Sequence, residues 1–312
     1  GTGTAGNGAA GGVFGTTGGR AVIDTSVTSA GMGAIALGTT TIAANGDSAG
    51  RIEIRNTGNI SFASLTAEAL GSAPPTNNDT DEAPAGIFLA ATGGTISTSG
   101  DMTLTTDSSL GTYAQSNGTV AVGGDLSITA ADQIDIRHDL RAGTAPTITA
   151  SGNLTATAGS ISSAPGSLLD AGGTLSLTST LGGIGIDRLD GNNIVIAAAG
   201  AASVEHAEAT NDFTASGASF RTGLNSIITG GDILITSPGA VDLGNSTAGG
   251  FVQVDGQSIV FNNIDAGFSV FLNATGNTLG SQGITGGSID AGGNINLNAS
   301  VIAIGGTLAA GG

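Results

Sequence analysis

The sequence predicts an all-β fold, a right-handed parallel β-helix (β-solenoid) with about 19–20 residues per coil. Three observations predict it. First, a short phrase recurs: two small residues, usually Gly-Gly, Ser-Gly or Gly-Asn, then a variable residue, then aliphatic-x-aliphatic. Its first apolar position falls at Leu154, Leu175, Ile194, Phe213, Ile233, Val252 and Val270, in steps of 21, 19, 19, 20, 19 and 18 residues. Second, apolar residues inside each unit alternate with polar ones, which is the period of a strand. Third, no segment carries a helical stripe. Gly supplies 56 of 312 residues, and Gly, Ser, Thr and Asn all disfavour helix. A unit this short cannot bury its own apolar face. Stacking unit on unit buries it in a continuous column, with strands of successive coils roughly 4.8 Å apart.

Taken along the chain, residues 20–65 carry the pattern loosely. The stretch between Leu65 and Ile87 breaks it, with Pro74, Pro75 and Pro84 among acidic and amide residues. Proline cannot join a ladder, and the acidic run cannot enter the core. Residues 66–86 are therefore expected to protrude as a loop. Asn77, Asn78, Asp79, Asp81 and Glu82 are its candidate partner-contact residues, and Asp79, Asp81 and Glu82 could hold Ca²⁺. The plain alternative is an insertion tolerated at a corner. Smaller irregularities fall at 105–121, around Tyr113, and at 137–147.

The later coils read clearly. Leu126-Ser-Ile128, Leu175-Ser-Leu177 and Ile295-Asn-Leu297 each place two aliphatics on one face. A second short strand follows in several units, as Ile134-Asp-Ile136, Ile184-Gly-Ile186, Val241-Asp-Leu243 and Ile302-Ala-Ile304. Gly, Asn, Ser and Asp between them are expected to form tight corners with positive φ. Inward residues such as Ile194, Ile196, Ile233 and Ile235 are expected to carry stability alone. The repeat argues for one rod over residues 1–312, a segment of a longer fibre, in place of two globular domains. The chain starts at Gly1 without a signal peptide and reads as a piece of a longer exported protein.

Phrases such as Ile289-Asp-Ala-Gly-Gly-Asn-Ile-Asn-Leu-Asn298, Gly152-Asn-Leu-Thr-Ala-Thr-Ala-Gly-Ser-Ile161 and Leu169-Asp-Ala-Gly-Gly-Thr-Leu-Ser-Leu177 resemble the stalk repeats of filamentous-haemagglutinin-like adhesins. That family comprises bacterial exoproteins, exported by two-partner secretion or as autotransporter passengers. The resemblance covers residues 90–312 well and 20–65 loosely. It implies a β-helical fibre on a Gram-negative surface, acting in adhesion, aggregation or biofilm. An Asn-Pro-Asn-Gly secretion signature does not occur in the sequence.

Composition narrows the function classes. Formal charge is −17, all seven basic residues are Arg, and Lys is absent. That balance opposes nucleic-acid binding and docking on anionic lipid. An acidic surface keeps edge-bearing rods apart. Without Cys, and with only His138 and His206 as softer ligands, thiol, zinc and iron–sulfur chemistry find no ligand set. No run of 18 apolar residues exists, so no membrane insertion is expected. No cofactor and no metal site are expected.

The densest charge cluster runs Asp132-Gln-Ile-Asp-Ile-Arg-His-Asp-Leu-Arg141. Asp135, Arg137 and Asp139 share the outward face of a strand, and with Arg141 they suit a surface salt-bridge network. The enzymatic alternative pairs the carboxylates of Asp135 and Asp139 with His138 in a sugar-cleaving groove. Absence of Trp and a single Tyr count against it. Thr-x-Thr pairs at 103/105, 147/149 and 155/157 suggest an ice-binding face, but later coils do not repeat them, and outward Thr and Asn suit stiffening ladders. The reading is a non-catalytic structural or adhesive extracellular fibre. Its expected partners are copies of itself, head to tail, or further repeats of a longer chain, and a host or matrix glycan or protein. Two rivals remain: a carbohydrate-active β-helix enzyme, such as a tailspike-like depolymerase, and a self-assembling sheath or surface-layer subunit.

Overall fold

A computed structural model of the chain describes residues 13–17, 20–24, 35–45, 51–56, 59–70, 86–92, 94–115, 119–138, 146–223, 227–276 and 283–311. Every regular element among them is a β-strand. The strands pair in parallel with strands one coil away, so the fold is a β-solenoid. Contacts divide the chain into two compact units, Gly1–Gly173 and Thr174–Gly312.

In the second unit each coil contributes to three parallel ladders. The first takes Phe213–Ser216, Ile233–Thr236, Val252–Gly256, Val270–Ala274 and Ile295–Asn298, in the register Phe213, Ile233, Val252, Val270, Ile295. The second stacks Phe220, Val241, Ile259, Ile284 and Ile302. The third stacks Ala207, Ile227, Ser246, Ile264, Ile289 and Leu308. Alternation then turns Ile194, Ile196, Ile233 and Ile235 inward, each at most 1% exposed, as the sequence predicts. Phe213 and Phe220 meet edge to face inside this core, ring centroids 6.0 Å apart. The sequence reading expected two strands per coil, and the third ladder is a finding. Its triplets, Ala207-Glu-Ala209, Ile264-Asp-Ala266 and Ile289-Asp-Ala291, are too weakly apolar to stand out before a Gly-rich corner.

The first unit has the same three ladders but longer coils. Leu65 pairs with Met102, Met102 with Leu126 and Leu126 with Leu154. These steps are 37, 24 and 28 residues, so the expected 19–20 does not hold here. Extra residues sit between strands, where longer loops cost little closure entropy. The expected 66–86 protrusion is also too long at both ends. Strand Ile60–Ala69 runs on through 66–69, because Leu65, Ala67 and Ala69 continue the buried alternation. Gly86 already opens strand Gly86–Thr92. Residues 71–85, with Asn77, Asn78, Asp79, Asp81 and Glu82, lie outside the described residues.

The recurring Gly-Gly phrase has a different cause from the expected positive φ. Among the described glycines only Gly86 and Gly166 have positive φ, at 127° and 83°. Gly166 follows Pro165 in a turn closed by the Ser167 N–H donating to the Ala164 carbonyl at 3.1 Å, the type II arrangement that needs Gly there. The repeat glycines serve close stacking instead. A Cβ on Gly231 or Gly250 would fall on a carboxylate oxygen of Asp212 or Asp232, one coil earlier. The same oxygens accept hydrogen bonds from the next residue of the later coil: Asp232 N–H to Asp212 Oδ1, and Phe251 N–H to Asp232 Oδ1, both 2.9 Å. In the first unit the Asp125 N–H donates to Asp101 Oδ1 at 2.9 Å and the Asn153 N–H to Asp125 Oδ1 at 2.7 Å. Gly124 and Gly152 lie beneath those carboxylates. Ser269 and Ser288 do the same with hydroxyls, toward the N–H groups of Asn294 and Thr307. Gly-Gly-Asp is thus an inter-coil lock. The carboxylate makes charge-assisted bonds, and the glycines leave it room.

Candidate functional site

Functional chemistry on a solenoid must sit at outward register positions, since inward ones fill the core. The predicted cluster around Asp135 lies on strand Gln133–His138, where Ile134 and Ile136 are buried and Asp135 points out half-buried. Its carboxylate accepts from Gln133 Nε2 and from Ser162 Oγ, each at 3.4 Å. These are neutral partners on its own strand and on the neighbouring coil. Asp139 and Arg141 lie outside the described residues, as do the side chains of Arg137 and His138. The salt-bridge network and the carboxylate–His138 pairing expected there fall outside them too.

A second charged cluster was not singled out in the sequence. Strands Ile184–Ala198 and Ala201–Ala209 pair so that Arg188 lies against His206 and Asp190 against Glu208. Arg188 reaches Asp190 at 3.3 Å and Glu208 at 3.5 Å, and His206 Nε2 donates to Glu208 Oε1 at 2.8 Å. The His206 hydrogen bond holds the Glu208 carboxyl below its ordinary 4.5, helped by the Arg188 charge and opposed by desolvation. The signal was present as Arg-x-Asp and His-x-Glu one coil apart. Glu208 is 48% exposed, so this is a solvated ion-pair network of small energetic weight. A separate oddity is Glu53, the one charged residue found buried among the described residues.

The third feature is an open groove of about 450 Å³ on the outward side of the first ladder of the second unit. Gln253, Asp255, Phe271, Asn273, Asn296 and Asn298 line it. Register places Gln253, Phe271 and Asn296 in one row and Asp255, Asn273 and Asn298 in the next. Asp255 accepts from Gln253 Nε2 and from Asn273 Nδ2, both at 3.0 Å, and Asn298 Nδ2 donates to Asn273 Oδ1 at 2.9 Å. The amides are therefore held in fixed orientation. Phe271 is 40% exposed, whereas Phe62, Phe213, Phe220 and Phe261 are buried. The sequence signal was a Phe at the middle of aliphatic-x-aliphatic, a position that faces out.

Among the described residues no group of three or more His, Asp or Glu side chains is placed to hold a metal ion. Nor, among the described residues, is any helix long and apolar enough to cross a membrane. The chain matches no family model, no curated protein and no solved structure.

Proposed function

We propose that this chain is a non-catalytic segment of an extracellular fibre on a bacterial surface or in a biofilm matrix. It extends by stacked β-coils and presents polar outward faces for adhesion. The carrying observation is the in-register parallel ladder with coil-to-coil locks. Such a stack directs its hydrogen bonds along its axis and exposes strand edges where it stops. In the last coil the residues Ile302 and Leu308 are 45% and 52% exposed. They stand at ladder positions that are buried in the coils before. The outward acidic groups also suit a binding surface better than a catalytic one. Asp190, Glu208 and Asp255 are each engaged by neighbouring side chains.

Cryo-electron microscopy of the native material tests this. The expected result is a filament with roughly 4.8 Å layering along its axis, with this chain abutting copies of itself or more repeats. Isolated, capped particles would overturn it, as would trimers with a substrate-filled side groove.

A further inference from the structure

We infer that the outward groove of Gln253, Asp255, Phe271, Asn273, Asn296 and Asn298 binds an uncharged polysaccharide. The inference deepens the adhesive reading above and rests on it. A sugar ring has two chemical aspects, an apolar face of C–H groups and a rim of hydroxyls. The groove offers a partner for each. The exposed ring of Phe271 supplies the π face on which C–H groups stack. It is flanked in its own row by Gln253 and Asn296 one coil to either side. The adjoining row supplies the Asp255 carboxylate and the amides of Asn273 and Asn298, donors and acceptors suited to neighbouring hydroxyls.

Three further observations favour a chain-like, neutral ligand. The polar side chains are already tied to one another by the Gln253–Asp255–Asn273–Asn298 hydrogen bonds, so little rotamer freedom is lost when a ligand arrives. The groove is lined from three successive strands, Val252–Gly256, Val270–Ala274 and Ile295–Asn298, which fits a polymer better than a monosaccharide. Asp255 is the one charged group lining it, and the chain carries −17 overall. A sulfated or uronic glycan would be repelled, whereas a neutral one would not.

The test is isothermal titration of the full chain with hexasaccharides of β-1,4-glucose, β-1,3-glucose, α-1,4-glucose and β-1,4-N-acetylglucosamine, with heparin as the anionic control. The expected result is saturable binding of at least one neutral hexamer, with heparin silent. Phe271→Ala should weaken that binding at least about tenfold, as loss of a central aromatic anchor does. Phe271→Tyr, which keeps the ring, should stay within about twofold. Phe271 faces solvent, and unchanged circular dichroism and urea midpoint will show that both variants fold. Binding of heparin alone, no binding of any neutral hexamer, or Phe271→Ala within twofold of the parent would each overturn the inference. Axial layering in the filament would be unaffected by these outcomes, so the fibre reading stands or falls separately.

Discussion

The Glu208 carboxylate joins local chemistry to a global observable. It accepts from His206 and lies 3.5 Å from Arg188, and its proton affinity is lowered as a result. A carboxyl that titrates lower in the folded chain than in the unfolded one stabilises fully above the ordinary carboxylate range. That contribution is lost as pH falls through the lowered folded value. Glu208→Gln should therefore flatten the acid limb. Between about pH 5 and about pH 3, the urea midpoint of the parent should fall further than that of the variant. Parallel curves would show that the His206 contact has no weight in solution. The effect will be small, because the pair sits in solvent.

Among elements, the corner between the third and first ladders is the joint that holds coil to coil. Gly250→Ala drives a methyl onto the Asp232 carboxylate, so the variant should lose about 1–3 kcal/mol. Asp232→Ala should lose a similar amount, since the Phe251 N–H loses a charged acceptor. The double variant should lose clearly less than the two together, because the clash needs the carboxylate. A double-mutant cycle by urea denaturation checks this, and strict additivity would refute the lock. The joint also explains what was legible in the sequence. The phrase of two small residues and the aliphatic pairs after it, such as Ile233 and Ile235, were readable because they recur, although the reason for the glycines, room for the carboxylate one coil earlier, was not. The third ladder was not, since Ala207 and Ala209 bury little area and carry a weak apolar signal. The charge cluster and the groove were harder still. Arg188 meets Glu208, and Gln253 flanks Phe271, only once the register is known, and register depends on coil lengths that vary along the chain.

At the scale of the whole molecule, coils of the second unit pair with the coils next to them, so stability should be graded along that unit's stack. Amide exchange of Ile233–Thr236, covered by a coil on each side, should be slowest. Strands Ile302–Ile304 and Leu308–Ala310, with exposed ladder positions, should exchange fastest in dilute solution. Their protection should rise with protein concentration if copies stack head to tail. Hydrogen–deuterium exchange by mass spectrometry at two concentrations reads both, and uniform protection at either would contradict a one-dimensional stack.

The lock between third and first ladders has a consequence for how such a chain can change. Its corner is always short: Ser99, Gly100 and Asp101 span it in one coil, Thr210, Asn211 and Asp212 in another, Gly249, Gly250 and Phe251 in a third. The other two connections range from a single residue, Gly159 in one coil and Gln257 in another, to the interval that separates strand Ile60–Ala69 from strand Gly86–Thr92. One corner thus keeps time for the chain while the other two absorb every irregularity. After a longer connection, the next short corner restarts the count, and the aliphatic pair behind it faces inward again. A chain built this way can lengthen or shorten its other two corners while the inward register of the first ladder is kept.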